Sequence, residues 1–82
     1  MPTIRAGKWL LIVIPGDHNP RHVHACLGSK NGPQVIAFLA EDGIVSVREI
    51  KGSVSNADAR KALAAVQEHF DDLLDLWKRF CR

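Results

Sequence analysis

Cysteine is scarce in this chain: there are two, Cys26 and Cys81, far apart and in no C-x-x-C pair. That leaves a zinc knuckle or a thioredoxin-like site unsupported, and two free thiols are the simpler expectation than one disulfide. Strong charge is missing too. A formal net charge of +2 does not by itself argue for nucleic acid. The longest apolar run, Trp9 to Ile14, falls far short of the roughly 20 residues that a membrane-spanning helix needs. The opening Met-Pro-Thr-Ile-Arg has no leader-like layout. A soluble, cytoplasmic protein with no membrane partner is the expectation. There is no internal repeat, low-complexity tract or linker, and the glycines match no P-loop or dinucleotide fingerprint. No repeated aromatic platform offers itself to stacked bases, so Trp9 and Trp77 read as core residues.

What is present suits one small domain. The 82 residues lie near the lower end of what folds without staples, and the apolar 46% and charged 24% argue against disorder. Thr3 to Arg5 reads as a short strand. Lys8 to Ile14, β-branched and aromatic, reads as a central strand buried on both faces. A third strand runs from about Arg21 to Leu27, and Gly28 to Pro33 is a loop of turn formers. Gln34 to Ala40 and Ile44 to Ile50 form a hairpin about Asp42-Gly43, the second strand having one wet face. Ser55 is a helix N-cap, with Asp58 at the capping-box position. Ala59, Ala62, Leu63, Val66, Phe70, Leu73, Leu74 and Trp77 then recur at helical spacing as one apolar stripe. Such a stripe must lie on something, and the sheet is the partner available. The pattern predicts an α+β fold: a single domain, 1–82, with an antiparallel meander sheet of four to five strands over 3–51. One long C-terminal helix, 55–80, packs against it.

Chemistry concentrates in Asp17-His18-Asn19-Pro20-Arg21-His22-Val23-His24. Gly16-Asp17 and Asn19-Pro20 are turn signals, and Asn19, preceding a proline, is pushed towards extended backbone. The chain therefore turns and leaves as a strand on which alternate side chains share a face. His22, His24 and Cys26 point one way; Val23, Ala25 and Leu27 point to the core. The paired imidazoles then face outward or into a cleft, with His18 free to swing towards them.

Three readings compete for this cluster. His22 and His24, with His18 or Asp17, supply three metal ligands. Alternatively His22, His24 and His18 share acid–base work while Arg21 or Lys30 stabilises an oxyanion or phosphorane. Asp17 and Lys30 are binding candidates in that case. Thirdly, these are polar strand and turn residues whose imidazoles satisfy buried carbonyls. An H-x-H pair is common by chance, so no metal or cofactor is assigned; His22, His24 and His18 are the candidates if one binds. Up to Lys30 the only acid is Asp17, against Arg5, Lys8, Arg21 and Lys30, a distribution that suits an anionic ligand near the histidines.

The initial Met-Pro-Thr-Ile, the D-x-x-P-x-H-x-H of Asp17, Pro20, His22 and His24, and the H-x-x-x-L-x-x-x-W of His69, Leu73 and Trp77 resemble a known family. It is the DUF4160 family of small bacterial proteins, a domain of unknown function. One departure is Arg21, where that family usually has a second proline; the change loosens the turn and adds a charge. The resemblance implies a toxin-like or partner-dependent component of a two-gene toxin–antitoxin pair, with a cognate small protein from a neighbouring gene; RNA or another phosphodiester is the substrate that the His/Arg cluster itself would suit. It implies no established activity. Whether the chain is an enzyme, a non-catalytic protein-binding module or a metal-binding protein stays open at this stage.

Overall fold

A computed structural model describes residues 1–81. Five strands, β1 (Thr3–Ala6), β2 (Trp9–Ile12), β3 (His22–Leu27), β4 (Gln34–Leu39) and β5 (Val45–Lys51), form one sheet in sequence order. Every neighbouring pair is antiparallel, so the sheet is a simple meander built from short connections. The β4–β5 turn shows how local chemistry sets it. Gly43 sits at φ +85°, a conformation that glycine adopts without a Cβ clash. The Ile44 N–H donates to Asp42 Oδ1 at 3.0 Å.

Register divides the sheet into two faces. Leu11 lies opposite Ala25, which lies opposite Val35. With Trp9, Val13, Val23, Ala37 and Leu39 these residues form the face under the helices, where they pack with Ala62, Val66, Leu73 and Trp77. Both tryptophans are buried, which removes them as base-stacking surfaces. The opposite face carries Ile12, His24 and Ile36 side by side. Cys26 also belongs to that face, yet it is buried rather than open to solvent. β5 differs from the expected half-buried strand: it is an edge strand, and Val47 and Ile50 remain exposed.

The C-terminal segment is two helices rather than one long helix over 55–80. Helix α1 (Asn56–Glu68) ends at His69, and α2 (Phe70–Phe80) begins directly after it. His69 leaves helical geometry at φ −102° and ψ 19°. No glycine or proline marks the break, and its cause is tertiary. A straight 26-residue helix would be about 39 Å long at 1.5 Å per residue, whereas the longest dimension of the molecule is 30 Å. Bending at His69 keeps Ala62 and Val66 on the sheet while Leu73 and Trp77 also reach it. Ser55 caps α1 as its sequence implies, accepting from the Asp58 N–H at 3.1 Å. The Asp58 carboxylate turns instead to Lys8, 3.2 Å away, and ties the helix start to the β1–β2 turn. No described helix is long and apolar enough to cross a membrane.

Candidate functional site

The site begins with the connection between β2 and β3, because it carries Asp17. Two anchors hold that connection against the end of α2, and a turn within it adds a third bond. The Gly16 N–H donates to Phe80 O at 2.8 Å, the Cys81 thiol donates to Ile14 O at 3.2 Å, and the Asp17 N–H closes a turn onto Ile14 O at 3.2 Å. Gly16 takes φ +88° to make this bend, which a residue with a Cβ adopts only under strain. The C-terminal helix thus fixes the carboxylate, although it contributes no polar group to the site itself.

His22 and His24 enter from β3, two residues apart and on one face. Their rings meet edge to face, with centroids 5.4 Å apart, and His22 also rests against Trp77 at 5.2 Å. His22 is buried and His24 nearly so, with 7% and 14% of their side chains exposed. Each ring is fixed through Nδ1. That of His22 lies 2.9 Å from Pro20 O, and that of His24 lies 3.3 Å from Gln34 Oε1. Since a carbonyl only accepts, both Nδ1 atoms carry hydrogen. The other nitrogens converge on one carboxylate oxygen: His22 Nε2 is 3.0 Å and His24 Nε2 is 3.6 Å from Asp17 Oδ2.

This convergence is chemically unusual. In neutral rings whose Nδ1 is protonated, Nε2 is a bare lone pair, and it faces an oxygen that also only accepts. Close approach has not produced aligned hydrogen bonds here. Asp17 Oδ2 and His24 Nε2 are both buried and neither has a hydrogen-bond partner. Buried polar atoms are normally satisfied, because leaving one bare costs about 1–3 kcal/mol. A proton or a metal ion shared between them would satisfy both atoms.

Of the residues singled out from sequence, the structure brings together Asp17, His22 and His24, whose ligand atoms all lie within 4.8 Å of one another. His18 is exposed on the turn and does not join them. Arg21 turns away: its Nε donates to Leu39 O at 3.1 Å, and it lines a separate groove with Asn19, Phe38 and Glu41. Lys30 shares a cleft with His24. His69, at the helix break, faces Arg5 and Lys8 on one side and Pro2 and Thr3 on the other, away from the imidazole pair. Cys26 lines the same cleft as His24 but is buried, and desolvation pushes its thiol up from the ordinary value of 9.0. That disfavours the thiolate a nucleophile requires. Both cysteines are free.

Two contributors were not legible in the sequence. Gln34, which fixes the His24 ring, and Lys51, which lines the cleft, lie in β4 and β5. Only strand register carries them to the site, with Gln34 paired to both Cys26 and Lys51.

Fold and site together define a small α+β domain whose meander sheet is backed by helices on one face and carries an Asp–His–His cluster at the β2–β3 connection. The chain belongs to the DUF4160 family: the model of that family, described as a domain of unknown function, matches residues 9–78. The match takes in both the Asp17–His24 turn and the His69–Trp77 segment. No curated protein and no solved structure matches the chain.

Proposed function

We propose that this protein binds a divalent transition-metal ion through Asp17 Oδ2, His22 Nε2 and His24 Nε2. The observation that carries the reading is the pair of buried, unpartnered atoms aimed at one another within a three-ligand cluster. Distance supports it. Ligands about 2.0–2.1 Å from a zinc ion stand roughly 3.3–3.4 Å apart at tetrahedral angles. The two contacts to Asp17 Oδ2, 3.0 and 3.6 Å, bracket that value. The support around the ligands fits as well. Metal-bound histidines characteristically donate their second ring N–H to a carbonyl or carboxylate, and here Pro20 O and Gln34 Oε1 occupy those positions. Two nitrogens and one oxygen suit zinc, iron, nickel or manganese better than calcium or magnesium. Three protein ligands leave further coordination positions for water or a bound molecule, the arrangement of catalytic rather than structural zinc sites.

The same site as a metal-free acid–base cluster for RNA cleavage draws less from the geometry. His18 and Arg21 lie apart from the imidazoles, and His22 is fixed through Nδ1 and buried beneath the surface. Titration of untagged, metal-stripped protein with zinc tests the proposal. It predicts one ion per chain, lost in Asp17→Asn and His24→Ala; undiminished binding in both variants would remove it.

A second reading, that the chain docks a cognate small protein as half of a two-gene pair, draws on β5. This edge strand and the turn before it expose Ile44, Val47 and Ile50, and an unpaired apolar edge is a surface that partners cover. Co-expression with the neighbouring gene tests it. Co-purification should disappear in a Val47→Asp/Ile50→Asp variant and survive His24→Ala.

A further inference from the structure

One member of the Asp–His–His cluster, His24, reaches a cleft at the surface. This cleft of about 410 Å³ has other walls that include Lys30, Asn31, Gln34 and Lys51, with Ile12, Ile14, Met1 and Cys26 making the apolar part. A volume of that size is within the range of small-molecule sites, which combine apolar walls with a few placed polar groups. The charge in this one is single-signed: two lysines line it and no carboxylate does. Lys30 forms no ion pair among the described residues, and Lys51 has only a loose 3.9 Å approach to Glu49, with both side chains more than half exposed. The two lysines arrive by separate routes, Lys30 on the β3–β4 loop and Lys51 at the end of β5. Antiparallel pairing of Cys26 with Gln34, and of Gln34 with Lys51, brings them to one end of the sheet.

We infer that this cleft receives a small organic anion, a phosphate ester by class, with its phosphate between the two lysine ammoniums and the position beside His24. The inference rests on the metal reading for one part only. A bound ion at Asp17, His22 and His24 would supply a third positive centre behind His24, the cluster member that lines the cleft. The lysines and the two amide side chains, Asn31 and Gln34, stand there regardless. Phosphate is favoured because the lining supplies two cationic and two amide side chains and no carboxylate, matching an acceptor with oxygens on all sides. The apolar wall of Ile12, Ile14 and Met1 accounts for an organic body rather than a free inorganic ion.

Calorimetric titration with methyl phosphate, on the full chain in zinc-loaded and metal-stripped forms, tests this. The expected result is binding to the zinc-loaded protein that weakens roughly 10-fold or more in Lys30→Gln/Lys51→Gln, while zinc stoichiometry is unchanged in that variant. Both lysines are exposed at the surface, so the double variant should fold, and its circular dichroism and thermal midpoint check that it does. If the wild-type chain takes no zinc, the metal reading fails by itself. Lysine-dependent binding of methyl phosphate to the metal-stripped form would then still uphold the cleft. Binding that ignores the lysine substitutions, or no binding in either form, overturns the inference. So does a short single-stranded RNA that binds through the lysines where methyl phosphate does not.

Discussion

Replacing Asp17 by asparagine separates a metal centre from an internal ion pair by the sign of a stability change. The substitution is isosteric, but it exchanges an acceptor-only carboxylate for a group that can also donate. With both Nδ1 atoms facing carbonyl oxygens, neutral rings at His22 and His24 have Nε2 atoms that only accept, facing Asp17 Oδ2 at 3.0 and 3.6 Å. An asparagine NH₂ in place of that oxygen donates to one of them. In metal-free protein, Asp17→Asn should therefore leave stability unchanged or raise it by up to about 1 kcal/mol. If His22 were instead an imidazolium held by the carboxylate, the same change would remove a charge-assisted hydrogen bond and cost about 1.5–3 kcal/mol.

The metal arm of the experiment has its own magnitude. Zinc at about 100 times its Kd adds about 2.7 kcal/mol to the folded state. In a domain of this size that is a rise in Tm of roughly 10–20 °C. Losing the only anionic ligand should weaken binding by roughly 100-fold at least, the upper end of what outer-shell losses alone cause. At the same zinc concentration about 0.4 kcal/mol then remains, or about 2–3 °C. Differential scanning calorimetry of both proteins, with and without zinc, reads all four states. A metal-free Asp17→Asn protein that is clearly destabilised, together with a zinc response equal to that of the wild type, would refute the reasoning.

Further outcomes follow from other parts of the fold. Leu73, fully buried between α2 and the sheet, should cost about 2–5 kcal/mol when replaced by alanine, read as a lower urea midpoint with an unchanged m-value. Ser55→Ala removes the N-cap bond to Asp58 N–H and should cost about 1 kcal/mol; no measurable change would mean that the first turn of α1 is held elsewhere. Burial raises the Cys26 thiol above its ordinary value, so the folded state holds that proton more tightly than the unfolded chain does. Its contribution is complete below pH 9.0 and is lost as pH rises towards the folded value. Stability should therefore fall in alkali by less in Cys26→Ala than in the wild type, and iodoacetamide should label Cys26 only after unfolding. Gly16→Ala, placed at φ +88°, should strain the loop that presents Asp17 and weaken zinc binding more than it lowers Tm.

Much of this architecture was readable one segment at a time. The strands followed from β-branched runs between turn formers, and the Asp42-Gly43 hairpin and the Ser55 cap appear where local chemistry puts them. The apolar stripe also packs against the sheet, apart from Leu74, with Leu76 joining it instead. The break at His69 was not readable, because periodicity carries no information about the width of the surface a helix must cover. The site divides in the same way. Spacing placed His22 and His24 on one side of β3. It did not choose between His18 and Asp17 as their companion, nor show that Arg21 would spend its guanidinium on Leu39 O.

The sequence by itself determined the elements and the shared face of the two imidazoles, since both depend on interactions between residues a few positions apart. Tertiary structure alone decided what those imidazoles meet. Anchoring of the Gly16 loop to the end of α2 brought Asp17 to them, and pairing across three strands delivered Gln34 and Lys51. Contacts of that kind depend on how distant segments dock, and docking is settled by the whole core.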